Sequence, residues 1–424
     1  MIGIYIILVI TIFIIILFSA KKVDFIIIFF LSTIIYYMNA FTGKLYINNG
    51  EAWLYIDKST YIVLIINLII ILISYLFSSL FIKKYDKPME KNKNDIFIEK
   101  KFVNIITIIN IIGIFSTIFS LRYYIFNNNY NKVAIMQNTN KIQEYYKMFT
   151  MFWAIYVFTN KDIKYKPYVY IVATMGLALT FLLGHRSFAV ITIIAIIFNY
   201  FYININENST LLKFVIKHRK LVIIIILLIF FVFTIKGIYT ALFNKDYKLV
   251  WERLTNISYY TKTIKISEPN AILTNLNTIV KNDYRLETNS FLNALKYIIP
   301  GLTKLNENIS FTVLYQEDLY STNNNASTFL GEAYANGGFI VVAIISCLVC
   351  FTLIIIYYYY CRCNSRIGKT FLLLSGIDIS FYIHRNSLDY VICRIRYFLY
   401  FVILLAIIRI FLNSFIKKWR KCEK

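Results

Sequence analysis

Long apolar runs recur along almost the whole chain, and they constrain its fold more than any other feature. Runs of roughly 17–22 residues match the length that an α-helix needs to cross the hydrocarbon core of a bilayer. Charged residues make up 16% of the chain, whereas about 25% is typical of a soluble domain. The sequence therefore predicts an all-α polytopic membrane protein.

The apolar runs divide the chain into about eleven predicted transmembrane helices. Their predicted limits are 2–20, 24–42, 60–82, 102–121, 145–159, 167–184, 187–204, 221–240, 333–358, 370–385 and 390–412. Helices 1–8 then occupy residues 1–240, a long loop occupies 241–332, and helices 9–11 with a basic tail occupy 333–424. The loop is too polar to span a bilayer and too long to be a plain connector. Its stretch SFLNALKYIIPG (290–301) is amphipathic and could lie on the membrane surface.

Basic residues in alternate connections indicate how the chain is oriented. Lysine and arginine concentrate in six connections: 21–22, 83–95, 161–166, 213–220, 362–369 and 417–424. With an odd number of helices, all six basic connections fall on one side of the membrane. The positive-inside rule places that side in the cytoplasm. The loop 241–332 is then extracytoplasmic. The net charge of +23 is explained by this orientation, and no nucleic-acid partner is predicted.

Residues that could carry chemistry collect at the predicted outer side. His185 and Arg186 stand in a turn of almost no length between two predicted helices. Arg122 comes directly after the fourth predicted helix, and Arg385 ends the tenth. Because an arginine at a helix end commonly snorkels to the interface, Arg122 and Arg385 also have an ordinary structural explanation. Arg186 is more constrained, since two helices fix its turn, and such rigidity favours a binding site.

The segment STFLGEAYANGGF (327–339) leads into the ninth predicted helix. Its serine and threonine could cap a short helix that presents Glu332 and Tyr334 near the outer end of that span. Its glycine pair, Gly337 and Gly338, would allow the backbone to turn tightly. Fixed arginines, a carboxylate and a polar loop fit an anionic lipid headgroup, because arginine binds phosphate oxygens bidentately.

Charged residues inside the last two predicted helices have structural explanations. Asp378 lies within the tenth helix, where an unpaired charge costs free energy. Arg394 and Arg396 lie about one turn below the outer end of the eleventh helix, so we predict that one of them pairs with Asp378. Arg409 lies near the inner end of the same helix and is expected to snorkel towards the cytoplasm.

Taken together, these features resemble Wzy-type O-antigen polymerases, which are oligosaccharide repeat unit polymerases. The resemblance rests on LLGHRSFAV at a mid-chain helix turn, an IIPG segment in the long outer loop, and STFLGEAYANGGFIVV entering the next span. Members of the family typically show Gly-x-Arg where this chain has GHR at 184–186. The family's arginine beside a proline is missing, since Gly301 follows Pro300, and Arg285 is assigned its role instead.

The resemblance implies a metal-independent membrane glycosyltransferase with a GT-C-like fold and no cofactor, acting at the outer face of the bacterial cytoplasmic membrane. It would polymerise repeat units linked to undecaprenyl diphosphate into a surface polysaccharide, either the O-antigen of lipopolysaccharide or a capsule. The implied catalytic residues are Glu332 and His185. The implied substrate-binding residues are Arg186, Arg285, Arg122, Tyr334 and Arg385.

The predicted partners are lipid-linked oligosaccharides and membrane lipid, with a chain-length regulator and a flippase as further partners. Two alternatives remain open. An O-antigen ligase would use similar residues to transfer a finished glycan to another acceptor. A flippase or transporter is a different class, which often shows internal repeats and helices broken at the midplane. The four prolines of the chain, none clearly in mid-helix, give little sign of that class.

Overall fold

The computed structural model describes residues 1–47, 50–81, 93–126, 135, 138–160, 164–183, 185–205, 210–224, 227, 238, 241–242, 244–287, 289–296, 311 and 328–422. Within these residues the protein is an all-α membrane protein with one small β-hairpin. Six of the described helices are long and apolar enough to cross a membrane: Ile2–Ser19, Lys58–Leu80, Ile98–Tyr123, Arg186–Asn204, Phe329–Arg362 and Leu388–Ser414.

The elements have the following bounds in chain order. The first helices are α1 (Ile2–Ser19), α2 (Phe25–Tyr36), α3 (Lys58–Phe81), α4 (Lys93–Phe126), α5 (Lys141–Thr159), α6 (Pro167–Leu182), α7 (Arg186–Asn204) and α8 (Leu211–Lys217). The later helices are α9 (Tyr247–Thr255), α10 (Ile257–Lys265), α11 (Glu268–Lys281), α12 (Ser290–Lys296), α13 (Phe329–Arg362), α14 (Arg366–Ile377) and α15 (Leu388–Cys422). A 3₁₀ turn (Met38–Phe41), the strands β1 (Lys44–Ile47) and β2 (Ala52–Tyr55), and a π-helix (Asp378–Tyr382) complete the set.

These helices coincide with the predicted membrane segments to different degrees. Every predicted segment overlaps described helical residues, although most of 221–240 lies outside the described residues. α2 ends at Tyr36, earlier than predicted, and α14 passes into the π-helix at Asp378. The count of about eleven membrane helices therefore remains a prediction.

The described residues belong to two compact units. Unit 1 comprises Met1–Lys84, Phe201–Tyr358 and Gly376–Arg394, and unit 2 comprises Tyr85–Tyr200, Tyr359–Ser375 and Ile395–Lys424.

Within unit 1, α11 turns the polar loop into a packed structure. Its apolar residues recur at helical spacing and are buried: Ile272, Leu273, Leu276, Ile279 and Val280. This face packs against α2, α3, the 3₁₀ turn and β1. Asn270 Oδ1 accepts a hydrogen bond from Tyr46 N at 2.9 Å, and Asn270 Nδ2 donates to Tyr46 O at 2.7 Å. Asn277 Oδ1 accepts from Asp57 N at 2.7 Å, so α11 also fixes the entry to α3.

The first predicted outer connection contains a β-hairpin that was not predicted from the sequence. β1 and β2 pair antiparallel, with Tyr46 opposite Trp53. Lys44 Nζ lies 4.6 Å from the centroid of the Trp53 ring. Each strand has four residues, the shortest length over which alternation of apolar and polar residues signals a strand, so the signal is weak.

In unit 1, connections that the positive-inside rule assigns to the same side of the membrane contact each other. The predicted outer connection at 43–59 contacts the predicted outer loop through Asn270 and Asn277. On the predicted inner side, Leu211 N donates to Ala20 O at 2.8 Å. Connections that the rule assigns to one side of the membrane therefore meet each other.

Within unit 2, α4, α5 and α6 pack together around aromatic side chains. Trp153 stacks on Tyr156 with ring centroids 5.3 Å apart. Gly113 lets α4 approach α5 closely, because an added Cβ would come within 2.2 Å of the Tyr146 ring. Tyr146 OH donates to Asn110 O at 2.7 Å, which fixes that close approach.

A buried carboxylate holds the predicted inner end of unit 2. Glu99 is 0% exposed and accepts a hydrogen bond from Tyr156 OH. Arg366 Nη1 lies 3.3 Å from Glu99 Oε2, and Arg409 Nη2 lies 3.2 Å from the same oxygen. Arg409 was expected to snorkel; instead it pairs with a carboxylate that the sequence analysis did not single out.

Candidate functional site

The predicted outer end of α13 is broken at the glycine pair, Gly337 and Gly338. Gly338 has φ 68° and ψ −152°, a backbone conformation that favours glycine, whereas the φ of 168° at Gly337 is ordinary extended backbone. The turn predicted from the sequence is confirmed. Before the break, residues 329–336 form a short helical segment that carries Glu332 and Tyr334.

Glu332 is completely buried at this end of α13. Its Oε1 accepts a hydrogen bond from Ser290 Oγ at 2.7 Å, and its Oε2 accepts one from Leu388 N at 2.7 Å. Asn336 Nδ2 also donates to Ser290 Oγ, at 2.8 Å. Glu332 therefore ties α12 and the start of α15 to α13, and the groups that donate to its carboxylate are neutral.

Arg285 lies on the break in α13. Its Nη1 donates to Tyr334 O at 2.5 Å, and its guanidinium centre lies 4.4 Å from the centroid of the Tyr334 ring. Its Nη2 pairs with Asp283 Oδ1 at 2.6 Å, and Tyr334 OH donates to the same oxygen at 2.9 Å. A Cβ added to Gly338 would come within 2.9 Å of Nη1, so the glycine makes room for the guanidinium. The Arg285 side chain remains 42% exposed.

Arg385 lies in the turn before α15 and pairs with Glu268 at the start of α11. Its guanidinium centre lies 5.4 Å from the centroid of the Tyr382 ring. The neighbouring His384 is fully buried and stacks on Phe29 with centroids 4.7 Å apart. Arg385 therefore reaches the surface while His384 belongs to the core of unit 1.

The structure places the predicted site residues in two groups. Unit 1 brings the following residues to one end: Glu332, Tyr334, Arg285 and Arg385. Unit 2 contains the others: His185, Arg186 and Arg122. The carboxylates that pair with the unit 1 arginines were not predicted from the sequence; they are Asp283 and Glu268.

In unit 2, His185 contacts a buried lysine that the sequence analysis missed. Lys147 lies in α5 and is 1% exposed. Its Nζ is 2.8 Å from His185 Nε2, and the His185 ring stacks on Phe188 at 5.4 Å between centroids. Arg186 follows as the first residue of α7. Lys147 could have been identified from the sequence, because it is a lysine inside the predicted membrane segment 145–159.

Arg122 has the environment expected of a snorkelling residue. It lies near the end of α4 and is exposed, with its guanidinium centre 4.6 Å from the centroid of the Phe119 ring. Contact with an aromatic ring on its own helix gives no sign of a ligand site. A substrate-binding role for Arg122 remains a prediction from the sequence.

The predicted ion pair of Asp378 is confirmed. Arg394 Nη2 lies 2.7 Å from Asp378 Oδ1, and both side chains are buried. The Arg394 guanidinium centre also lies 4.3 Å from the centroid of the Tyr382 ring. The pair joins the π-helix to α15 within unit 1.

An apolar groove runs between α3 and α13 within unit 1. Its cavity measures about 560 Å³ and is lined by residues that include Ile73, Phe77, Ile344, Leu348 and Phe351. Such a lining suits a hydrocarbon chain. In the part of the chain that the structure describes, no three His, Cys, Asp or Glu residues are grouped to hold a metal ion.

No protein-family model, curated protein or solved structure matches this chain. The resemblance to Wzy-type polymerases therefore depends on the sequence motifs.

Proposed function

We propose that this protein polymerises oligosaccharide repeat units that are linked to undecaprenyl diphosphate, at the outer face of the bacterial cytoplasmic membrane. The observation that carries the proposal is the broken outer end of α13 in unit 1. There a fixed arginine, Arg285, and a buried carboxylate, Glu332, meet a folded polar loop at the end of a membrane helix.

A lipid-linked oligosaccharide has a hydrocarbon chain, a diphosphate and a glycan, and unit 1 offers a counterpart to each. The apolar groove along α13 suits the polyprenyl chain. Ile344 lies six residues below Gly338, about 9 Å along a helix. Arg285 at the break suits the diphosphate, because a guanidinium binds phosphate oxygens through two parallel hydrogen bonds. The polar loop above suits the sugars.

The reaction requires positive charge beside the leaving diphosphate. As the bond between the anomeric carbon of the donor and its diphosphate oxygen breaks, negative charge develops on the leaving diphosphate, and fixed cations lower that barrier. The acceptor is also lipid-linked, so the reaction involves two diphosphates. We assign diphosphate binding to Arg186 in unit 2 and Arg285 in unit 1. Tyr334 and Arg385 are assigned to substrate binding near Arg285.

The acceptor hydroxyl must lose a proton as its oxygen forms the new glycosidic bond. A carboxylate in hydrogen-bond reach can take this proton. Glu332 suits the role because neutral donors hold it, so it can gain a proton without breaking an ion pair. A flippase is the partner that would deliver repeat units to the outer leaflet, and a chain-length regulator is a further proposed partner.

The glycolipid profile of a deletion strain tests this function. Loss of a polymerase leaves single repeat units on the cell surface. Polymer that accumulates on undecaprenyl diphosphate would indicate a ligase instead, and repeat units trapped on the inner leaflet would indicate a flippase.

Complementation of the deletion strain then tests Arg285. Arg285→Ala should leave mostly single repeats, and Arg285→Lys should restore only part of the chain length, because lysine lacks the planar fork. Arg253→Ala, elsewhere in the same loop, is the matched control and should restore normal polymer. Glycan length is measured on gels and normalised to the amount of protein in the membrane.

A further inference from the structure

The helices α9 and α10 differ from the rest of unit 1 because none of their residues is buried. In α9, apolar side chains recur at helical spacing on one face: Tyr247, Val250, Trp251 and Leu254. These four residues form the apolar face of α9. Trp251 is 70% exposed, and Ile257, the first residue of α10, is 79% exposed. An exposed apolar surface of this kind marks a site that a partner or a membrane covers.

The remainder of the segment is polar and basic. Residues 245–266 contain five basic and two acidic residues. The basic residues are Lys245, Lys248, Arg253, Lys262 and Lys265, and the acidic residues are Asp246 and Glu252. Lys248 and Glu252 lie one turn apart on the side of α9 that points away from its apolar face. A helix with an aromatic apolar face and a basic polar face is typical of helices that lie in a membrane interface.

Both ends of the segment are held at the ends of predicted membrane helices. At its start, α9 follows the predicted helix 221–240 within a few residues. At its end, α10 leads into α11, whose Glu268 pairs with Arg385 at the end of the tenth predicted helix. Asn270, also in α11, accepts a hydrogen bond from Asn39 Nδ2 at 2.7 Å, just beyond the end of α2.

The length of the two helices limits where their exposed residues can lie. Each helix has nine residues, and a helix of that size is about 13 Å long. Because both ends of the segment are held at ends of predicted membrane helices, neither α9 nor α10 can carry its exposed residues far from the membrane boundary. The membrane is therefore the surface closest to the apolar face of α9.

We infer that α9 and α10 lie on the predicted outer surface of the membrane as amphipathic interfacial helices that bind anionic phospholipid. The apolar face of α9 enters the boundary between headgroups and acyl chains, where tryptophan and tyrosine are favoured because each combines an apolar ring with a polar group. The stems of the lysines extend along this boundary, so that their ammonium groups reach the headgroup phosphates. The excess of basic residues favours phosphatidylglycerol over a neutral lipid. This surface binds bulk membrane lipid and does not depend on the proposed glycosyl transfer.

Quenching of Trp251 fluorescence tests the position of α9. The full-length protein is placed in nanodiscs of phosphatidylcholine that carries bromine on its acyl chains, and iodide is the quencher in the aqueous phase. The chain has four tryptophans, so the contribution of Trp251 is the difference between wild type and Trp251→Phe. We expect this contribution to lose most of its intensity to brominated lipid and little to iodide.

The matched control moves the indole to the opposite side of the same helix. Glu252 is exposed and lies on the polar side of α9, so a protein with both Trp251→Phe and Glu252→Trp should fold like wild type. Its indole at position 252 should lose most of its intensity to iodide and little to brominated lipid.

The preference for anionic lipid is measured with bromine on one lipid of a mixed bilayer at a time. Brominated phosphatidylglycerol should quench Trp251 more strongly than an equal amount of brominated phosphatidylcholine. Lys248→Gln combined with Lys262→Gln should remove this preference, and Lys100→Gln, at an exposed lysine of α4, should retain it. Equal quenching of the wild-type protein by the two lipids would overturn the preference for anionic lipid.

Two results would overturn the interfacial position itself. If iodide quenches Trp251 and brominated lipid does not, the apolar face of α9 is open to water. If neither quencher reaches Trp251, protein covers this face, as in a contact between two copies of the chain. Since the assay contains no glycan, its outcome is independent of the glycolipid profile of the deletion strain.

Discussion

Each unit completely buries a glutamate, and the two glutamates are held in opposite ways. Glu332 in unit 1 accepts hydrogen bonds from a serine hydroxyl and a backbone N–H. Glu99 in unit 2 lies between Arg366 and Arg409 and accepts a third contact from a tyrosine hydroxyl. Neutral donors hold the first carboxylate, and two cations hold the second.

This difference separates a structural carboxylate from one that can do chemistry. The Glu99 carboxylate is committed to ion pairs with two guanidiniums, those of Arg366 and Arg409. The donors to Glu332 lose no ion pair when it gains a proton. The same residue type thus forms ion pairs in one unit and neutral hydrogen bonds in the other, and the proposed function assigns proton transfer to the second.

The largest expected effect follows from removing the structural carboxylate. Glu99→Ala leaves Arg366 and Arg409 without it, and breaking a buried ion pair in this way costs roughly 3–5 kcal/mol. We expect a large fall in the midpoint of thermal unfolding in detergent and in membrane protein level. Glu51→Ala, at an exposed glutamate, is the control. A Glu99→Ala protein as stable as this control would remove the distinction between the two glutamates.

A smaller loss is expected at the buried pair of unit 1. In Asp378→Asn the amide oxygen can still accept from Arg394, but the charge that compensates the guanidinium is lost, at a cost of about 1–3 kcal/mol. Protein level should fall more than activity per molecule. An abundant, well-folded and inactive Asp378→Asn protein would place this residue in the catalytic machinery instead.

Glu332→Gln tests whether the Glu332 carboxylate takes the proton of the acceptor hydroxyl. Glutamine can accept from Leu388 N–H and donate to Ser290 Oγ, so stability should change by only about 0.5–1.5 kcal/mol. Glutamine cannot take the acceptor proton, and polymerisation should fall roughly 10²–10⁴-fold. Glycan length is compared with that of Glu332→Asp, which retains a carboxylate. Wild-type polymer from Glu332→Gln would make Glu332 purely a structural tie.

The smallest effect on stability is expected at Arg385. Its pair with Glu268 is about one-third exposed on both sides, and pairs of this kind contribute about 0.2–1 kcal/mol. Arg385→Ala should therefore unfold within a few degrees of wild type, in contrast to Glu99→Ala. Shorter glycan from this stable protein would support a role of Arg385 in substrate binding. Glycan of unchanged length would mean that Arg385 serves only in its ion pair with Glu268.

The sequence was informative wherever one local property determined the structure. Apolar length predicted helices such as α1 and α3, and the glycine pair predicted the break in α13. Asp378 was paired correctly because a charge at membrane depth needs a partner and Arg394 lay on the adjacent helix. The buried face of α11 also follows from the helical spacing of its apolar residues.

The contacts that were missed depend on which helices pack together. Glu99 and Arg366 are 267 residues apart. Helices that face lipid are apolar on all sides, so their sequences do not show which face meets a neighbour. Lys147 and His185 come from α5 and from the turn before α7, and no local pattern joins them. Which polar residues become partners depends on how the helices pack together. This packing cannot be predicted from the sequence of a single helix.

The hydrogen bonds between Asn270 and β1 have a consequence for how the protein is made. Tyr46 and Asn270 are 224 residues apart, so at roughly 5–20 residues per second the ribosome needs on the order of 10–45 s between them. Throughout that interval α2 and α3 have already been synthesised, while β1 lacks the amide that later completes its hydrogen bonds. The end of unit 1 that contains β1 is therefore completed late in synthesis, and the nascent chain passes through a stage in which β1 lacks its partners on α11.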